Sequence, residues 1–311
     1  MSMIATRDAY GEALAKLGEE NSNVVVLDAD LSGSTKTSLF AKKFPERFFN
    51  MGIAEANMIG TAAGLAAAGK IPFASTFAIF AVGRAWEQVR QSVAYPKANV
   101  KIVATHSGVT VGEDGGSHQS VEDIAIMRAV PNMTVIVPAD GIETALAIQA
   151  AADFKGPVYV RLGRSKVPTI FDDSYKFTIG KGIQLRDGTD LTFVGTGLMT
   201  AQTLVAAEIL QTAGISARVI HISTVKPLDE ELILTAARET GAVITAEEHS
   251  IIGGLGGAVA ELLSENCPVK LKRIGINDRF GLSGKGDELL KYFGLLPENL
   301  VEAAKVLLAG R

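Results

Sequence analysis

A two-domain α/β fold, each domain a mainly parallel sheet covered by helices, is what this 311-residue sequence predicts. Three observations carry that reading. Short β-branched runs alternate with stretches of helical spacing along the whole chain, the pattern of strands joined by crossover helices. The alternation breaks once, between about Ser165 and Gly188, where KVPTIFDDSYKFTIGKGIQLRDG brings a proline, an Asp pair and several glycines. Polar residues also collect directly after predicted strands, where parallel sheets bind ligands. The break divides the chain into a domain over 1–170, a linker over 171–188 and a domain over 189–311, which suits a chain of this length.

The elements follow in order. Thr6–Glu20 has helical spacing, with Ala9, Ala13, Leu14 and Leu17 on one face. Val24–Leu27 reads as a buried strand and ends in the polar loop Asp28–Thr37. Phe48–Met51 is a short strand leading into Gly52–Gly69, a helix of small residues that reads as buried. Ile71–Ala74 is a strand, and STFAIFAVGRAWEQVRQSV after it reads as one helix, which puts Phe77 and Phe80 on a shared face. Asn99–Val103 is a strand; Ser120 is a candidate N-cap for the helix after it. Thr134–Val137, a helix over Gly141–Ala152 and the strand Val158–Leu162 complete this half. In the second half, strands are expected at Leu191–Val194, Ala217–His221, Ala242–Thr245 and Val269–Ile274, with a closing helix at Glu298–Leu308.

Composition narrows the function. Hydrophobic residues make up 47% and charged residues 21%, with a formal net charge of −4. No basic stripe suited to nucleic acid occurs. The single cysteine, Cys267, excludes an internal disulfide and fits a reducing compartment. The N-terminal MSMIATRDAY has no apolar core region of a secretory signal, and Met58–Gly69 is too short to span a bilayer. A soluble, cytoplasmic protein without a membrane or nucleic-acid partner is expected.

The densest chemistry lies in Ala104–Gln119, ATHSGVTVGEDGGSHQ, a glycine-rich loop holding His106 and His118, half of all the histidines, beside Glu113 and Asp114. Its glycines let backbone approach a ligand, and its imidazoles can move protons near neutral pH. Ser34, Glu55, His106 and Arg164 each follow a different predicted strand, and Ser34, His106 and Arg164 could converge on one phosphate, His106 with a switchable charge. Glu55 combines a helix N-terminus, which favours the carboxylate, with apolar neighbours, which favour the neutral acid; no basic residue is near it in sequence. Phe77 and Phe80 offer a flat apolar wall or ordinary core. The glycines of Glu247–Val259 read as packing, and Glu247, Glu248 and His249 are given no role.

VGEDGGSHQ with ATH upstream, NMGIAEANM, the STF after the third strand, PNMTVIVPAD, GRSKVP, TVKPLD and EEHSIIGGLGG together resemble the transketolase family over essentially the whole chain. The resemblance implies a thiamine-diphosphate-binding fold followed by a transketolase C-terminal domain. No GDG stretch with a downstream Asn, which in the family holds the cofactor's diphosphate and magnesium, is present; the chain resembles the C-terminal subunit of a split transketolase. The resemblance implies that Glu55 shares a proton with the aminopyrimidine of thiamine diphosphate and that Phe77 and Phe80 pack on that ring. It gives Asp114 and His118 to substrate hydroxyls, with His118 also catalytic, and Ser34, His106 and Arg164 to the sugar phosphate. Asp30 matches a family position near the same loop without a definite role, and Gly83 stands where the family often has a tyrosine. No metal ligand is assigned to this chain; Mg2+ and the diphosphate fall mainly to an N-terminal partner, in a two-plus-two assembly that moves a two-carbon ketol unit between sugar phosphates of the pentose phosphate pathway. The rivals are the beta subunit of a 2-oxo-acid dehydrogenase decarboxylase, half of a deoxyxylulose-phosphate synthase, and a non-catalytic regulatory paralogue.

Overall fold

The computed structural model describes residues 2–309; Met1, Gly310 and Arg311, which the expected domain limits include, lie outside it. Fourteen strands occur among the described residues: β1 (Met3–Ala5), β2 (Val24–Asp28), β3 (Phe48–Asn50), β4 (Ile71–Phe77), β5 (Lys101–Thr105), β6 (Thr134–Ile136), β7 (Val158–Arg161), β8 (Lys166–Pro168), β9 (Ile183–Arg186), β10 (Leu191–Gly195), β11 (Ala217–His221), β12 (Thr224–Lys226), β13 (Ala242–Ser250) and β14 (Lys270–Ile276). A seven-stranded sheet runs β12-β6-β7-β5-β4-β2-β3 and a five-stranded sheet runs β14-β13-β10-β11-β9. All neighbours are parallel except β12 on β6 and β9 on β11. The central strands are buried along their full length, as strands covered by helices on both faces must be.

The first helix spans Thr6–Glu20 and buries Ala9, Leu14 and Leu17, as its spacing predicts. Elsewhere the structure departs from expectation in instructive ways. The stretch after β4 is not one helix. Phe77 ends the strand, a short helix covers Ala78–Gly83, and a π-helical turn covers Val89–Ala94. Ser120 caps nothing: its carbonyl accepts from the Gly108 amide at 2.8 Å, and the helix begins at Asp123. The small-residue helix covers Glu55–Ala67 and buries Glu55, Met58, Ile59 and Ala62 on one side only. Its other side is open at Gly60 and Gly64, where an added Cβ would meet nothing within 4 Å.

The linker region is tied down rather than slack. β8 pairs with β1, and the Ile170 and Phe171 amides donate to Asp140 at 2.7 and 2.9 Å. Tyr175 donates to Glu143 at 2.7 Å, and the other oxygen of Glu143 meets His221 of the second sheet at 2.7 Å, both side chains fully buried. β12 crosses from the second half to join the edge of the first half's sheet. No described helix is long and apolar enough to cross a membrane.

Candidate active site

All the sequence-predicted residues lie beyond the carboxyl ends of the seven-stranded sheet. Ser34 follows β2, Glu55 follows β3, Phe77 closes β4, His106 follows β5 and Arg164 follows β7. β2 is buried up to Asp28, whose carboxylate accepts from the Thr35 and Thr37 hydroxyls at 2.7 and 2.9 Å and from the Leu31 amide at 2.6 Å. Burial raises the pKa of Asp28 above the ordinary carboxyl value, and these bonds oppose the rise. The result is a loop folded around a buried acid, with Ser34 at its rim. Asp30, in the left-handed region at φ 64°, accepts from Asn50 at 3.0 Å.

His106 has φ 56° immediately after β5, which turns its ring back over the strand ends. The ring lies flat on Phe77, centroids 3.8 Å apart and planes 18° apart. Its Nε2 accepts from the Arg7 guanidinium at 2.9 Å, which leaves the proton on Nδ1, 2.8 Å from the Thr105 hydroxyl. Burial, then the charges of Arg7 and Arg164, push the imidazole down to about 3. His106 is therefore neutral at physiological pH, and the switchable charge expected of it is not there. The cation belongs to Arg7, which also donates to the Ser34 carbonyl at 3.2 Å. Arg7, Lys36 and Arg164 all act on His106 as neighbouring positive charges, and Asp8 stands beside the first two of them.

Arg164 donates to the Val111 carbonyl and stands 3.6 Å from both Glu113 and Asp114. Asp114 is exposed, at the tip of the glycine-rich loop. His118 stands edge-on to Phe80 and Phe77, with centroids at 5.4 and 6.3 Å. The Phe77 and Phe80 rings are nearly parallel, 10° apart in plane with centroids 5.8 Å apart. They reach this arrangement from a strand end and a helix, not from one helical face.

Glu55, 4% exposed, starts the helix Glu55–Ala67. Arg84 donates to its Oε1 at 2.9 Å, so a basic partner does exist, brought from twenty-nine residues away. The same guanidinium lies 4.1 Å from the centre of the Phe80 ring. The Arg84 guanidinium, a flat and nitrogen-rich group, thus bridges the buried carboxylate and the aromatic face. Nothing crowds Gly83, where an added Cβ would meet no atom within 4 Å.

Contacts thus run from Ser34 through Arg7 to His106 and Phe77, from Phe77 and Phe80 to His118, and from Phe80 through Arg84 to Glu55, while Arg164 stands beside Asp114. Sequence reasoning missed Arg7, Asp28 and Arg84. Arg84 carried a usable signal, standing four residues after Phe80 and so within reach of the same helix face. Arg7, ahead of the first buried strand, carried none. Among the described residues no three His, Cys, Asp or Glu side chains come together in a way that could hold a metal ion.

The family model of the transketolase pyrimidine-binding domain matches residues 2–169, and that of the transketolase C-terminal domain matches residues 180–300. The chain is 58% identical over 299 residues to a putative transketolase C-terminal section of Methanocaldococcus jannaschii, covering 95% of this chain and 94% of that protein. It is 47% identical over 298 residues to a 6-deoxy-6-sulfo-D-fructose transketolase subunit of a Clostridium species, covering 96% and 92%. A solved structure described as a split gene transketolase, an inactive beta4 tetramer, superposes with a TM-score of 0.91 at 55% identity and covers 99% of both chains.

Proposed function

The chain belongs to the transketolase family, and from that premise we propose that it is the C-terminal subunit of a split, thiamine-diphosphate-dependent transketolase. It transfers a two-carbon ketol unit from a ketose phosphate to an aldose phosphate, in cytoplasmic carbohydrate metabolism such as the pentose phosphate pathway. The observation that carries the reading is Glu55, a buried carboxylate that already holds a flat guanidinium against Phe80. An aminopyrimidine is also flat and carries adjacent nitrogens, so the donor set fits that end of the cofactor. The diphosphate and its magnesium are assigned mainly to an N-terminal partner subunit.

When bound, thiamine diphosphate supplies the carbon nucleophile that accepts the two-carbon unit. Each side chain of this subunit then has a definite task. Glu55 shares a proton with the pyrimidine ring, and its burial keeps water from competing for that bond. Phe77 and Phe80 hold the ring plane. His118, edge-on to both rings, is placed to move a proton at a substrate hydroxyl, with Asp114 orienting the sugar. Arg7 and Arg164 clamp the terminal anion, Ser34 lines it, and neutral His106 aims Arg7. A guanidinium pair recognises tetrahedral anions in general. The 47%-identical relative is named for a sulfo-sugar, so sulfonate is the natural competitor of phosphate in this clamp.

The open side of the helix Glu55–Ala67, with Gly60 and Gly64, faces the neighbouring subunit in a two-plus-two assembly, next to the cofactor. The decisive assay supplies cofactor, magnesium, a ketose phosphate and an aldose phosphate to the purified chain, with and without the partner. Transfer should require both subunits. Transfer by this chain alone, with contaminating transketolase excluded, would overturn the proposal.

A further inference from the structure

The glycine-rich loop is not held by its own domain alone. Glu248, on β13 of the second sheet and only 3% exposed, accepts from the Thr110 amide at 2.6 Å. Gly108 lies against the same carboxylate so closely that an added Cβ would stand 2.3 Å from its carbon, and Gly108 has φ 76°. From the other side, the second domain's segment Gly281–Gly286 lies on the loop. Gln119 donates to the Leu282 carbonyl at 2.8 Å while it also donates to the carbonyls of Val109 and Gly112, each at 3.1 Å. Cβ atoms added at Gly115 and Gly116 would meet Ser283 at 2.4 Å and the Gly281 carbonyl at 2.6 Å. The loop that presents Asp114 and His118, and the Val111 carbonyl that receives Arg164, is therefore shaped between two surfaces of the second domain.

We propose that the second domain sets the substrate-binding geometry of the first, and that Glu248 is the positioning residue through which it does so. Glu248 bonds to Thr110 and, through its carbonyl, to Arg161, and to none of the candidate site residues. Its effect reaches substrate through Thr110, then Val111, then Arg164 and Asp114. The path is short: a bond to the Thr110 amide, the peptide link to Val111, the Arg164 bond to the Val111 carbonyl and the Arg164–Asp114 ion pair. The Arg161 guanidinium fixes the anchor from behind, donating to the Glu248 carbonyl at 2.9 Å and to Asp123 at 2.8 Å. A carboxylate removed here frees a buried amide and lets the loop relax. The groups assigned to the cofactor, Glu55 and Phe80, stand on the helices Glu55–Ala67 and Ala78–Gly83, outside the loop that Glu248 holds.

This inference rests on the transketolase reading for its kinetic arm only, so the test has a second arm that does not. Glu248→Ala and Glu248→Gln are compared, because a glutamine carbonyl can still accept from the Thr110 amide. In the isolated chain, amide exchange over 109–112 is expected to quicken about tenfold or more in Glu248→Ala and to stay near wild type in Glu248→Gln. In the complete enzyme, Glu248→Ala should raise KM for the sugar substrate about tenfold with cofactor affinity unchanged within about twofold, and Glu248→Gln should restore KM. Unchanged exchange in Glu248→Ala refutes the inference, as does a loss of cofactor affinity in step with KM. Glutamine as damaging as alanine also refutes it. A complex that transfers no two-carbon unit even as wild type removes the functional reading and leaves the exchange arm to decide.

Discussion

Replacing Glu55 by glutamine separates chemistry from folding, because the structure assigns the two effects very different sizes. The ion pair that Glu55 makes is with Arg84, whose side chain is 51% exposed. A pair screened on one side contributes about 0–1 kcal/mol, and a glutamine oxygen can still accept from the guanidinium. Stability should therefore fall by about 1 kcal/mol or less. Turnover should fall on the order of 10²–10⁴, since glutamine cannot share the proton, a barrier increase of about 3–5 kcal/mol. The assay is two-carbon transfer by the reconstituted complex at saturating cofactor, beside a denaturant titration of the same preparation. Retained turnover would refute the assignment of Glu55. Lost turnover with a stability loss of several kcal/mol would refute the reasoning in another way, by making the carboxylate a structural group.

Arg7→Ala and Arg164→Ala should each raise KM for phosphorylated sugars roughly 10- to 100-fold, the loss of one charged hydrogen bond, with much smaller effects on unphosphorylated sugars; equal effects on the two would remove the anion clamp. His106→Ala should act in the same direction through Arg7, and no pH dependence between about 5 and 8 should trace to this histidine, since its neutral form already prevails. Burial holds the Glu248 carboxyl up at about 7, above its ordinary 4.5. Between those values the folded chain keeps a proton that the unfolded chain has lost, so this contribution is present in full below about 4.5 and is lost as pH rises to 7. Relative to Glu248→Gln, wild type should thus lose up to about 3 kcal/mol over that window, and parallel stability curves for the two would contradict it. Gly64→Arg should fold normally, because the position opens on empty space, yet fail to assemble with the partner in light scattering; a fully formed complex would place the interface elsewhere.

Much of the fold was legible because buried parallel strands announce themselves: the β-branched runs at Val24–Asp28 and Ala217–His221 have no other stable home. The strands that escaped notice are short edge pieces such as β1, β8 and β12, three residues each, whose pairing is decided by distant partners. The placement of the candidate residues was legible, their electrostatics less so. Phe77, Glu55 and Arg164 stand at strand ends, and strand ends can be read from pattern. That His106 is neutral could not be read, because it follows from burial and from Arg7, ninety-nine residues away. That Glu55 has a cation likewise follows from a contact between two helices, Arg84 closing the one over Ala78–Gly83.

The crossing strand β12 has a consequence for where a chain of this kind can be divided. Thr224–Lys226 supplies the outer strand of a sheet whose other members all precede residue 162, and Lys226 donates to the carbonyls of Arg128 and Val130 at 2.9 and 2.6 Å. Severing the chain at the linker would strip β6 of its neighbour, leaving a bare edge open to pairing with other chains. It would also part Glu143 from His221, abandoning a fully buried carboxylate. The two halves should accordingly melt as one unit, with a single transition in a thermal scan. Modularity here belongs to the joints between polypeptides; inside this one, the two lobes are stitched.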